Sequence, residues 1–324
     1  MKIVNQSAIL LEPDTSGNSS SSIYKFIETV ARTCYKSESR GNPTAFVKAL
    51  EKAKHRAMLE HAYVFFRLDE VSMRNFLVQL DAKDYKYFNI ADNYVSGSFR
   101  TFLDLGDIYV SIADEFNNFV LLEMLKQLGM VYSDIFEYNL DFYDFRPSAG
   151  EVELISQREL INDINSMDMV LGDAIISSLV PITIKFTTNR GISHELTRHR
   201  PCSFAQESQR YIDYDKDKFG SEITFIKPLI EEGSKDWEEW KYAMEWCETV
   251  YKNLRGRGVT PQIARGVLPN DCKTEIIMTA VETEWQHIIN LRYHGTTGAP
   301  HPQMKELMGI AYPLLAQKSE GRIK

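Results

Sequence analysis

Between Arg198 and Tyr211 the chain reads RHRPCSFAQESQRY. Four potentially cationic side chains, Arg198, His199, Arg200 and Arg210, stand among three hydroxyls (Ser203, Ser208, Tyr211), the amide of Gln206 and the carboxylate of Glu207. The formal net charge is −8, so the stretch is a local reversal of sign. Guanidiniums held close together grip phosphates with paired hydrogen bonds, and serine hydroxyls bind the same oxygens. Charge alone does not separate this from a solvated helix face. His194 to His199 also looks like the zinc motif HExxH with one residue added. Five residues at 3.6 per turn set the two histidines roughly 140° apart, so one metal does not easily take both. No CxxC pair supports zinc, and no metal site is expected.

Arg198-His199-Arg200, seven residues, then Ser208 is similar to the RHR-x7-S signature of flavin-dependent thymidylate synthases. The match continues through Arg210 and Tyr211. Four segments resemble that family in its order: 31–37, 55–66, 182–214 and 263–307. The last holds the Ile-Ala-Arg-x-Val-Leu-Pro run ending at Pro269, the run His287 to Arg292, and His301-x-Gln303. The stretch at about 69–180 is longer than compact members have and reads as an insertion in a single elaborated domain over 1–324.

The resemblance implies an enzyme that makes dTMP from dUMP, with FAD as cofactor, methylenetetrahydrofolate as carbon donor and NADPH as reductant. By the same resemblance Arg198, His199 and Arg200 contact FAD, and His55 and His287 line its site. Ser208 and Arg210 hold the phosphate of dUMP, and Arg265 reaches the nucleotide from another subunit of a homotetramer. Arg292 lies on the uracil ring and favours its ionised N3 form. Glu195, where the family often has Gln, touches the nucleotide. Gln206 is expected at both flavin and nucleotide, and Glu207 supplies a carboxylate to the nucleotide. Ala57, Ala205 and Val281 depart from the family's pattern at flavin-side positions. Cys202 sits in the signature, but it does not replace the family's serine, and a small packed residue is the preferred reading. The alternative to the enzyme is a scaffold that has lost catalysis and kept nucleotide or RNA binding.

The rest of the composition agrees with that class. The chain is 44% hydrophobic and 25% charged, ordinary for a globular protein. An acidic balance disfavours general nucleic-acid or membrane-surface binding. No apolar run approaches the ~20 residues of a membrane span, and the N-terminus lacks a signal-peptide core. Cys34, Cys202, Cys247 and Cys272 are scattered, which suits a reducing cytosol, and a cytoplasmic location is expected.

The elements that must position these residues can be read from periodicity and caps. Strands are expected at 3–11, 62–68, 181–188 and 223–226. Helices are expected after Ser20–Ser22, after Asn42-Pro43, after Asp114 with a stop at Gly129, over 153–179, from a Ser193 cap through Arg200, after Ser234, after Thr260, over 274–291 and after His301. Tyr94 to Arg100 could start a helix. The fold expected is α+β: a mixed or antiparallel sheet, including the strands at 62–68 and 181–188, packed by helices, of the flavin-dependent thymidylate synthase type with a largely helical insertion.

Overall fold

The structure, a computed structural model, describes residues 1–13, 20–39, 41–80, 87–111, 119–138, 150–209 and 222–324. Its strands are β1 (Lys2–Val4), β2 (Ser7–Leu11), β3 (Tyr63–Leu68), β4 (Phe88–Ala91), β5 (Tyr94–Ser98), β6 (Val152–Ile155), β7 (Pro181–Asn189), β8 (Ser203–Gln206), β9 (Thr224–Ile226) and β10 (Lys273–Val281). Its helices are α1 (Ser20–Tyr35), α2 (Pro43–Lys52), α3 (Glu70–Gln79), α4 (Phe99–Ser111), α5 (Phe119–Val131), α6 (Gln157–Ile164), α7 (Met169–Leu179), α8 (Arg190–Leu196), α9 (Lys235–Gly256), α10 (Pro261–Ala264), α11 (Glu282–Ile289) and α12 (Pro302–Lys318). A 3₁₀ turn covers Arg56–His61 and a π-helical turn covers Asn290–His294.

Two four-stranded antiparallel sheets organise the chain. The first runs β2-β7-β10-β8 and the second β4-β5-β3-β6, while β1 and β9 pair in parallel. The strand pair expected to share a sheet, 62–68 and 181–188, is therefore divided between the two. The reason lies in the partners of β3. The stretch read as a largely helical insertion, about 69–180, holds β4, β5 and β6 as well as helices, and β5 and β6 flank β3 on both sides.

In the first sheet, alternation separates two unlike faces. Ile182, Ile184, Phe186, Ile276, Met278 and Ala280 form an apolar face with Ile192 and Leu196 of α8, Trp285 and Ile288 of α11, and Met304 and Leu307 of α12. The opposite face carries Thr183, Lys185, Lys273, Glu275 and Thr279, with Thr183 opposite Thr279 and Lys185 opposite Ile277. Helix α1 crosses that face, where Phe26, Val30 and Cys34 cluster with Ala205 and Ile277. Its other stripe, Tyr24, Ile27 and Ala31, enters the core built by β3, α4 and α5.

Several expected elements change type. Residues 274–281 form a central strand, and helix begins only at Glu282. Thr274, Ile276, Ile277, Thr279 and Val281 are β-branched, and burial on both faces conceals the period of 2. Tyr94–Ser98 is a strand and helix starts at Phe99. The stretch 153–179 holds a strand before two helices. Gly129 lies inside α5 rather than ending it, and the Asp114 cap lies outside the described residues. The cap of α8 is Asn189, not Ser193.

Candidate active site

Strand β7 delivers the chain into the site and Asn189 turns it. The Asn189 Oδ1 accepts the Ile192 N–H at 2.8 Å and so starts α8. Its amide donates to Asp271 and Gln303, at 2.9 and 3.1 Å, which locks the corner to two distant segments. Helix α8 is two turns long and carries Glu195 near its end. The RHR triplet follows in a tight turn, with the His199 N–H bonded to the Leu196 carbonyl at 3.1 Å. Pro201 disfavours further helix, so the turn alternates its side chains. Arg198 and Arg200 are exposed and His199 is buried.

Arg292 arrives from the other end of the chain on the π-helical turn. That turn closes at Gly295, whose φ of 71° is left-handed. A π turn displaces side chains from the α-helical row and recurs at functional sites. The Arg292 Nε donates to His199 Nε2 at 3.2 Å, and its Nη1 donates to Glu195 Oε2 at 3.2 Å. Because the guanidinium can only donate, His199 Nε2 must be the lone-pair nitrogen, which makes the ring neutral with its proton on Nδ1. Burial, then the charges of Arg292 and His287, push the His199 pKa down to about 4. Two acceptors thus aim the guanidinium, and its Nη2 has no hydrogen-bond partner among the described residues. With its side chain 25% exposed, Arg292 is open to a ligand.

The signature continues along edge strand β8. Alternation sends Gln206 and Glu207 to opposite faces. Gln206 Nε2 donates to Ser193 Oγ at 2.7 Å, on the α8 side. Glu207 turns to the α1 side, where its carboxylate is 3% exposed and accepts from Lys273 at 3.0 Å. That carboxylate is committed inside the protein. Ser208 is tied by its N–H to the Cys34 carbonyl at 3.0 Å. Arg210 lies outside the described residues.

The remaining candidates are more scattered. His287 is exposed on α11, close enough to act electrostatically on both His199 and Glu284. His55 is exposed at the start of the 3₁₀ turn and caps nothing. Arg265 is exposed after α10, and no contact joins it to the Arg292 cluster among the described residues. The Cys202 thiol has its pKa raised, by burial and then by Glu284, which opposes thiolate formation. Asn189, Arg190 and Lys273 are site-building residues that the motifs do not flag. Asn189 alone had a readable signal, a capping residue directly after a strand and three before Ile192. Arg190 donates to the Glu207 carbonyl at 3.3 Å, a contact with no sequence signature.

The donor set fits a flat, phosphate-bearing group beside a second anion. Exposed Arg198 and Arg200 bracket in sequence the buried His199 that bonds the aimed guanidinium of Arg292, and exposed His287 acts on the same imidazole. The pattern of the family described as "Thymidylate synthase complementing protein" matches residues 153–317, just over half of the chain. The flavin-dependent thymidylate synthase of Pyrococcus furiosus is 36% identical over 150 residues, covering 45% of this chain and 59% of that protein. The enzyme of the same description from Geobacter sulfurreducens is 36% identical over 104 residues, covering 32% and 44%. The chain spans about half the length of the curated relatives it matches. Among solved structures, a UMP/dUMP methylase, PolB, from Streptomyces cacaoi bound with 5-Br dUMP is 18% identical, covers 51% of this chain and 81% of that one, and has a TM-score of 0.38.

Proposed function

The chain belongs to the thymidylate synthase complementing protein family, and from that membership we propose that it is a flavin-dependent thymidylate synthase. It would convert dUMP to dTMP, taking the carbon from methylenetetrahydrofolate, and would work as a homotetramer with sites between subunits. The observation that carries the proposal is the aimed guanidinium. Glu195, His199 and Arg292 come from two segments about ninety residues apart, and they meet within 3.2 Å.

Arg198, Arg200, His55 and His287 would hold FAD, with Gln206 reaching it from β8. Bound FAD would supply the reducing equivalents, drawn from NADPH. The protein's own work is position and field. C5 of the pyrimidine is a poor nucleophile, and it gains electron density when negative charge on the ring is stabilised. Arg292 would supply that stabilisation through its Nη2 edge, held still by two acceptors so that little reorganisation is needed. Neutral His199 suits this task, since a protonated ring would repel the guanidinium and give up the hydrogen bond. Glu195 balances the Arg292 charge and borders the nucleotide. Ser208 and Arg210 would bind the phosphate, and Arg265 would reach it from a neighbouring subunit.

The test is formation of dTMP from dUMP with FAD, NADPH and methylenetetrahydrofolate present, each omitted in turn. Product that needs all of them supports the reading. Tight nucleotide binding with no flavin binding and no product replaces it with a nucleotide-binding module.

A further inference from the structure

Behind the phosphate-binding end of β8 lies a lattice of buried charge that the proposed reaction does not use. Glu207 Oε2 accepts from Lys273 at 3.0 Å and lies 3.5 Å from Lys36 Nζ. Glu275 accepts from Lys36, Lys273 and Lys185 at 2.5, 2.9 and 2.8 Å. Three ammoniums therefore enclose two carboxylates. The carboxylates are 3% and 15% exposed, so water screens the contacts weakly. Burial works against the Lys273 ammonium, but Glu207 and Glu275 outweigh it and its pKa ends above the ordinary value. The Glu275 carboxyl is held well below its usual range by Lys273, Lys185 and Lys36, against the effect of burial.

The backbone around Glu207 is held as firmly as its side chain. Its N–H donates to the Glu275 carbonyl at 2.8 Å. Its carbonyl accepts from Arg190 at 3.3 Å. The next N–H, that of Ser208, reaches the last full turn of α1 at Cys34. Two residues beyond Cys34, Lys36 takes a left-handed φ of 45° while its ammonium closes on the lattice. Such a backbone costs energy for a side chain other than glycine and persists where its surroundings enforce it.

We propose that Glu207 is a positioning residue: clamped by Lys273 and Lys36, it fixes where β8 ends and so where Ser208 meets a nucleotide phosphate. This rests on the reading that Ser208 binds that phosphate. Charge alone predicts the opposite outcome for one substitution. Glu207→Gln removes a negative charge beside the phosphate and, as pure electrostatics, should tighten an anion. If Glu207 positions Ser208, the same change releases the end of the strand and weakens it.

The experiment measures dUMP and deoxyuridine binding to the full chain and to Glu207→Gln, by titration, with KM and kcat for dUMP alongside. The expected result is a rise in KM for dUMP of about 10-fold, the scale of one charged hydrogen bond, with kcat little changed. Deoxyuridine, which lacks the phosphate, should bind both proteins alike. Tighter or unchanged dUMP binding overturns the inference, and so does an equal loss for both ligands. Wild-type protein that binds neither ligand removes the functional reading itself. If Glu207→Gln does not fold, Lys36→Met at the partly exposed rim is the second variant. A loss confined to the phosphorylated ligand supports the inference there, and an equal loss overturns it.

Discussion

At the scale of single residues, the site depends on how a charged group is aimed. Arg292 is held at Nε and Nη1 by acceptors of different kinds, one neutral and one anionic. Arg292→Ala should lower turnover by about 10²-fold or more while FAD binding survives, as read from steady-state rates beside the visible spectrum of the bound flavin. Retained turnover would remove Arg292 from the reaction. Arg292→Lys should fall nearly as far, because a point ammonium does not reproduce the planar fork that His199 and Glu195 share. The triplet Arg198-His199-Arg200 and the lone Arg292 were singled out in the sequence by their resemblance to the family's motifs. Their contact was not. Nothing local marks His199 as the acceptor of an arginine 93 positions away, nor Glu207 as a buried partner of Lys273.

Elements set those residues in place, and their ends matter more than their middles. Asn189 caps α8 and joins Asp271 and Gln303 as well. Asn189→Ala should cost roughly 1–2 kcal/mol, seen as a shift in the urea midpoint without a change in slope. At Gly295 the left-handed backbone closes the π turn, and an added Cβ would come within 3.0 Å of the Gly298 carbonyl oxygen. Gly295→Ala should therefore cost about 1 kcal/mol or more and lower turnover by shifting Arg292, with flavin affinity less affected. A variant with full turnover would show that the turn tolerates the strain. Amphipathic helices such as α1, and capped starts such as those of α2 and α9, were readable because local chemistry decides them. β10 was not. Its run Ile276-Ile277-Met278 is apolar without alternation, because α8, α11 and α12 cover one face and α1 the other. A strand flanked on both faces gives up its period of 2, and tertiary packing then decides between helix and strand.

At the scale of the molecule, burial of two imidazoles ties stability to pH. His61 is 2% exposed, with Nδ1 bonded to Thr279 Oγ1 at 2.7 Å. Burial pushes its pKa down to about 4, the same value as for His199. An unfolded histidine takes its proton near pH 6.5, so between about 6.5 and 4 the unfolded chain holds more protons. Stability from these two groups is complete above that window and falls as pH drops through it. Each contributes up to about 1.4 kcal/mol per pH unit. Urea midpoints taken from pH 7.5 to 4.5 should show the loss, and His61→Gln should flatten it by one histidine's share. A flat profile would mean that neither ring is held neutral by the fold below its ordinary range. Glu275 acts at lower pH, since its depressed carboxyl gives up its contribution only below the ordinary glutamate range.

Helix α1 belongs to two cores at once. It buries Tyr24, Ile27 and Ala31 against the second sheet and its helices, and Phe26, Val30 and Cys34 against the sheet of the site. A segment that merely decorated an edge could be removed without touching the site. Here, deletion would leave a stripe of large apolar side chains in water along the helix whose Cys34 carbonyl holds Ser208. The helix therefore works as a shared wall: a change in either core is felt along α1 and, through the Cys34 carbonyl, at Ser208.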